Sequence, residues 1–393
     1  MGRFQLESTV EECAYGALLA TVFSIAFSIA LGQLCAAFCF LFFLIAWIRR
    51  RIRFPFPPVL FFVVSFVVLA WILSAHFGDS HGLWRRCGKL FWFMLIPVTA
   101  SLTLESGRKR ALLWSFLGGS AVLGLKDLVI YPILAWRKPN PNFLTSLIDK
   151  GSMTDGQMLM LGVVGSTVLI AAMIREGRRA PGWCWAILLA QSAGLLINFK
   201  RGSWFCAILL VGVILLMQLR WRAWVPVLMV MVGVFLLPPV QSRMGQLSRE
   251  FNSEGGGRMT MWLTITPQLI RAQPQGVGYG CLTNDRMRQV APQVEPHRNH
   301  LHANWAQVLV ETGWVGLALY LLWMARSVRD GMVWVRRSRD TDDRVSAIVV
   351  VMFLTGLLLN GLVEYNFGDI EMMFIYAVMM GLAAVGGRVA DHG

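Results

Sequence analysis

Long apolar runs, scarcely interrupted by charge, recur from one end of the chain to the other. A helix needs about 18 such residues to cross the hydrocarbon core of a bilayer. A soluble fold has no interior large enough for them. Of the 393 residues, 56% are hydrophobic and 15% charged, against about 45–50% and about 25% in ordinary globular domains. The pattern excludes a soluble enzyme, a disordered chain and a disulfide scaffold. It predicts an all-α, polytopic integral membrane protein.

Twelve spans are expected, near 14–31, 34–48, 57–75, 88–104, 111–134, 157–174, 183–199, 203–219, 224–240, 304–325, 345–363 and 369–386. They make a single membrane domain of residues 1–393. The segment before the first run carries Glu7, Glu11 and Glu12 and lacks a cleavable-signal pattern. The first span is therefore expected to stay.

A net charge of +14 would suit a nucleic-acid partner if the basic residues formed one surface. Instead they lie in short clusters after every even-numbered span. Arg49 to Arg51 and Arg53, Arg108 to Arg110 through Lys109, Arg175 with Arg178 and Arg179, Arg220 with Arg222, the arginines from Arg326 to Arg344, and Arg388 follow that rule. Positive charge concentrates in cytoplasmic loops, so both termini and these loops are expected in the cytoplasm, and no nucleic acid is expected. The seven cysteines form no CxxC pair and lie mostly in apolar runs. They read as small buried thiols.

Two features stand on the opposite, outer side. Lys200 and Arg201 sit between the seventh and eighth spans, where the charge rule disfavours them. The stretch from about 241 to 303 is the single long loop, and its helix-like segments mark it as functional. Pro238-Pro239 opens it. Gly255-Gly256-Gly257 then leads into Arg258 and an apolar helical face of Trp262, Ile265 and Leu269, ended by Pro274. An arginine at a helix N-terminus opposes the macrodipole. It suits that place if an anion is shared by the guanidinium and the N–H groups. A solvated loop arginine, or a snorkelling one at Arg201, would look the same in sequence.

Before the tenth span, His297-Arg298-Asn299-His300-Leu301-His302-Ala303-Asn304 places three of the chain's six histidines in six residues. In an extended segment His300 and His302 share a face. The candidate roles are a metal site, general acid–base catalysis by one imidazole, or anchoring of a helix end.

These residues resemble the O-antigen ligase and O-antigen polymerase superfamily. The resemblance rests on three places. The first is Asn198-Phe199-Lys200-Arg201-Gly202-Ser203-Trp204. The second is Gly257-Arg258-Met259-Thr260-Met261-Trp262, continued by Gly276-Val277-Gly278-Tyr279-Gly280. The third is His300-Leu301-His302, then Gln307 and Glu311-Thr312-Gly313-Trp314-Val315-Gly316. The chain departs from the common pattern in having Ala303 directly after His302, with Asn304 one position later. Counting back from Gln307 and Gly313 puts the family histidine at His302, with His300 as the alternative.

The resemblance implies inverting glycosyl transfer without a cofactor or metal, in a bacterial inner membrane with the site facing the periplasm. It implies an undecaprenyl-diphosphate-linked O-antigen donor and, for a ligase, a lipid A-core acceptor. It also implies His302 as base and Arg201, Arg258 and Lys200 at the diphosphate, supported by His300, Gly257 and Asn304. A polymerase would use a second lipid-linked glycan as acceptor. A transporter or lipid flippase is the rival of another class. Against it stand the absence of a half-to-half repeat and the outer position of the notable charges. Only Lys126, Asp127 and Glu364 hint at buried polar sites.

Overall fold

The computed structural model describes residues 2–49, 52, 54–77, 82–137, 151–219, 233, 236, 240–241, 245, 257–292, 294 and 299–389. Among them the chain is helical, with no strand. Among the described residues, eight helices are long and apolar enough to cross a membrane: Ile29–Ile48, Pro58–Phe77, Ser106–Trp136, Met153–Arg175, Arg201–Gln218, Asn304–Arg337, Thr341–Gly361 and Ile370–Gly387. Gly182–Asn198 is apolar but shorter. The chain is a multi-pass membrane protein. Most of the expected span near 224–240 lies outside the described residues, as do Pro238-Pro239, Gly255, Gly256 and His297.

Four expected spans need correction. The first two helices are Gly2–Ile25 and Ile29–Ile48, so the turn falls at 26–28 and not at Gly32-Gln33. Ser28 sets it by capping the second helix through Leu31 N. Gly32 lies inside that helix, where a Cβ would come within 2.9 Å of the Ile25 backbone. It is a small residue at a close crossing. The span expected at 88–104 is broken into Leu83–Cys87, a 3₁₀ segment Gly88–Met94, and Leu95–Leu102. Pro97 sits in the first turn of the last piece, where its missing N–H costs nothing. One turn earlier its ring would oppose a continuous helix.

The expected tenth span is also longer. Asn304–Arg337 takes in Arg326, Arg329, Arg336 and Arg337, and it is kinked at Gly313, whose φ is 67°. Residues 304–312 thus form a short helix set off from the span that follows.

The ends of the bundle differ in chemistry. At one end the basic clusters meet acidic partners. Arg108 pairs with Glu11 at 2.7 Å, Lys109 with Asp343 at 3.0 Å, and Arg110 with Asp342. Lys109 also lies over the Trp334 ring. The other end gathers the 198–201 turn, Arg258, the histidines and the turn between Thr341–Gly361 and Ile370–Val389. The cluster of Arg108, Lys109 and Arg110 and the candidate site therefore occupy opposite ends of the bundle.

Candidate functional site

The outer segment is held by backbone pairing around the Gly313 kink. A kink frees carbonyls that a straight helix would use. Val277 N donates to Val310 O and Gly278 N to Glu311 O, both at 2.9 Å. Gly276 has φ 98°, and a Cβ there would stand 2.6 Å from Glu311 O. A Cβ on Gly313 would stand 2.6 Å from Pro274 O. The glycines of the second and third motifs are thus two sides of one close backbone contact, at angles that L side chains rarely adopt.

The Arg258 helix runs through Arg258–Thr260, a π segment Met261–Ile265, and Thr266–Ala272. Pro267 cannot donate into a regular ladder, and a π turn absorbs the defect. The Thr266 hydroxyl caps it by donating to Met261 O at 2.8 Å. Met261, Ile265 and Leu269 are buried, close to the face expected from periodicity, while Trp262 is half-buried and donates from Nε1 to Leu301 O at 2.9 Å. That bond ties the arginine helix to the histidine segment. Gly257 is the N-cap, with φ −62°, an angle open to any residue, so its own backbone needs no glycine.

Arg258 Nη1 donates to Val363 O at 2.6 Å, and Nη2 donates to Glu364 Oε1. The second oxygen of Glu364 lies 3.7 Å from His302 Nδ1, an ion-pair distance longer than a hydrogen bond. Gly202 closes the ring. A Cβ there would meet Glu364 Cγ at 3.3 Å, so the start of the Arg201 helix packs directly on that carboxylate. Arg201 itself is buried at 6% exposure. One acidic side chain, Glu364, therefore draws together the elements that carry Arg201, Arg258 and His302. Burial by itself raises the Glu364 carboxyl, but the neighbouring His302 imidazole and the Arg258 guanidinium overcome it. They hold the group below the usual glutamate range.

His302 has φ 51°, and Phe199, just before Lys200-Arg201, has φ 57°. They are the only non-glycine residues with positive φ among those described. Such angles cost about 1–3 kcal/mol and persist where surroundings over-determine them. Phe199 ends one helix so that Arg201 can open the next. The segment 300–302 is thus not simply extended. Even so, the His300 and His302 rings meet, with centroids 4.3 Å apart, and His300 stacks near Tyr365 at 6.1 Å.

Asn304 is 1% exposed. Its Nδ2 donates to Asn366 Oδ1 at 2.6 Å, and its Oδ1 accepts from Asn366 N and Phe367 N. It clamps the turn that carries Glu364. Lys200 is half-buried, its stem passing Gly151 and Gly156.

Sequence reasoning undervalued Glu364. It stood out only as a charge among apolar spans, and nothing local shows which residues it faces. The arrangement sets Arg258 and His302 on one carboxylate, with His300 against His302 and the turn of Lys200 and Arg201 packed beside it through Gly202. It can hold an anion and move a proton.

The family model described as O-antigen ligase matches residues 185–321, about a third of the chain. The match takes in all three motifs and supports the O-antigen ligase superfamily, and with it glycosyl transfer of the ligase or polymerase type. Glu364 lies beyond the matched segment. No curated protein matches the chain.

Proposed function

We propose that the protein is an inverting, metal-independent glycosyltransferase of the O-antigen ligase type. It transfers an O-antigen glycan from undecaprenyl diphosphate to a sugar hydroxyl of lipid A-core. The reading has both termini in the cytoplasm of a bacterial inner-membrane protein, and the 241–303 loop facing the periplasm as part of one membrane domain. The observation that carries it is the convergence on Glu364 of Arg258, His302 and the start of the helix that Arg201 opens.

In this reading His302 accepts the proton of the acceptor hydroxyl as its oxygen attacks the anomeric carbon. The bond from that carbon to the diphosphate oxygen breaks on the opposite face. Negative charge grows on the leaving diphosphate, where fixed cations lower the barrier most. Arg201 and Arg258 stand at helix N-termini, so guanidinium charge and backbone N–H groups act in the same direction. Lys200 adds a third positive charge. Glu364 holds Arg258 in plane and stabilises the imidazolium that forms on His302. The long His302–Glu364 distance fits a pair that tightens as substrate binds. Asn304 acts indirectly, by fixing the Glu364 turn.

The test is transfer by purified full-length protein in lipid nanodiscs. The donor is a glycan on undecaprenyl diphosphate, offered with lipid A-core or with a second lipid-linked glycan. Glycosylated lipid A-core is the expected product. A lengthened lipid-linked glycan alone would assign polymerase chemistry, and no transfer with either acceptor would remove the reading.

A further inference from the structure

Gln307 and Glu311 belong to the third motif, yet neither has a part in the reaction just described. Both are 2% exposed, so neither meets a sugar or a diphosphate. Gln307 instead grips the chain on both sides of His302. Its backbone N–H donates to Ala303 O at 3.0 Å, a bond that opens the helix Asn304–Arg337. Its side-chain Oε1 accepts from Leu301 N at 2.9 Å.

The orientation of that amide is determined. A backbone N–H only donates, so the amide oxygen must face Leu301 and Nε2 must face away. Nε2 donates to Glu311 Oε1 at 2.8 Å, one turn along the same helix. A carboxyl group offers an acceptor oxygen whether or not it carries a proton, so Glu311 keeps the amide aimed in either state. Glu311 is itself anchored, since its carbonyl accepts from Gly278 N at 2.9 Å.

The other side of Leu301 is held as well. Its carbonyl accepts from Trp262 Nε1 at 2.9 Å, and Leu301 and Ala303 are fully buried. Gln307 thus holds the peptide that enters Leu301, and Trp262 holds the peptide that enters His302.

His302 needs such holding. Its φ of 51° is an angle that a residue with a side chain keeps only where the surroundings enforce it. Relaxed to an ordinary angle, the Cα–Cβ bond would swing and carry the imidazole off its 3.7 Å approach to Glu364 Oε2. A misplacement of about 1 Å at a reacting group costs on the order of 10²-fold in rate.

We propose that Gln307 is a positioning residue for His302, its amide aimed by Glu311 and its hold on the Leu301 segment completed by Trp262. The proposal rests on the glycosyl-transfer reading for the role of His302. Gln307 then acts on the rate and not on substrate affinity, because it touches neither substrate.

The experiment uses full-length protein in nanodiscs, with a glycan on undecaprenyl diphosphate as donor and lipid A-core as acceptor. The variant Gln307→Met keeps the side-chain length and loses both of its hydrogen bonds. It is expected to lower kcat by about 10- to 100-fold and to leave both KM values within about twofold. Combined with His302→Ala it should cost nothing further, because groups that act as one unit are not additive. Glu311→Gln keeps an acceptor for the amide and should recover most of the rate that Glu311→Met loses. If Gln307→Met does not insert, Glu311→Met carries the same test, alone and with His302→Ala.

A second readout needs no turnover. The ring resonances of His302, assigned in protein with isotope-labelled histidine by their loss in His302→Ala, should move in Gln307→Met. A protein inactive with every acceptor in which they do move would sink the transfer reading and keep the positioning role. Inactivity with unmoved resonances would overturn both. In an active protein, an unchanged kcat in Gln307→Met, a loss confined to KM, or a loss that multiplies in full with that of His302→Ala would overturn the proposal and leave the transfer reading standing.

Discussion

His302 Nδ1 and Glu364 Oε2 stand 3.7 Å apart, on segments separated by more than sixty residues, while the other oxygen of Glu364 holds Arg258. This pairing makes the histidine and the arginine parts of one unit. It also separates the roles of the two neighbouring imidazoles, because His302 faces the carboxylate and His300 stacks towards Tyr365.

The base prediction follows. General-base help is worth about 10²–10⁴-fold in rate, so His302→Ala should lose activity on that scale. Glu364→Gln should lose about 10- to 100-fold, as expected when the partner that orients a catalytic group is removed. His300→Ala should be intermediate and His297→Ala nearly silent. Full activity in His302→Ala with loss in His300→Ala would move the base by two residues.

Arg201→Ala and Arg258→Ala should abolish or severely reduce transfer while the protein still inserts. Lysine should rescue poorly, since an ammonium lacks the planar fork. In the proposed mechanism the arginines carry the charge stabilisation, so activity should survive a chelator. A loss in chelator that one divalent ion restores would return the histidines to a metal role.

Gly276→Ala and Gly313→Ala each add a Cβ 2.6 Å from opposing backbone at a positive φ. Backbone strain of that kind costs about 1–3 kcal/mol before any clash is counted. Both variants should unfold at lower temperature than wild type in a detergent melt, and lose activity in parallel. Wild-type melting in both would show that the contact is not needed.

The depressed Glu364 carboxyl makes a stability prediction with a fixed sign. A group whose pKa is lower folded than unfolded adds stability above the usual glutamate range, lost as pH falls through its folded value. The unfolding midpoint should therefore drop in acid below the usual glutamate range. The drop should be smaller in Glu364→Gln, measured across pH in one detergent. Equal acid sensitivity of both proteins would count against the ion-pair role.

Sidedness is open to direct labelling. In a background stripped of native cysteines, Gln289→Cys should react with an impermeant maleimide in intact spheroplasts, whereas Arg337→Cys should react only after lysis. Labelling of Arg337→Cys from outside would reverse the orientation and move the site to the cytoplasmic face.

The sequence by itself determined the helical membrane class and singled out Arg201, Arg258 and His302 as candidates. Those signals are local: apolar run length, charge placement and residue types at fixed spacing. Periodicity also placed the Arg258 helix. It did not place the break at Pro97, the turn at Ser28, or the extension of Asn304–Arg337 beyond the Gly313 kink. There the outcome depends on how one helix meets the next, as at Gly32 against Ile25 and Gly276 against Gly313. Tertiary structure alone decided what Glu364 faces. Its meaning lies in what surrounds it, namely Arg258 more than a hundred residues away, the Gly202 backbone and His302. A carboxylate buried in a membrane protein must find cationic partners or be too costly to keep, and only the packed bundle supplies them.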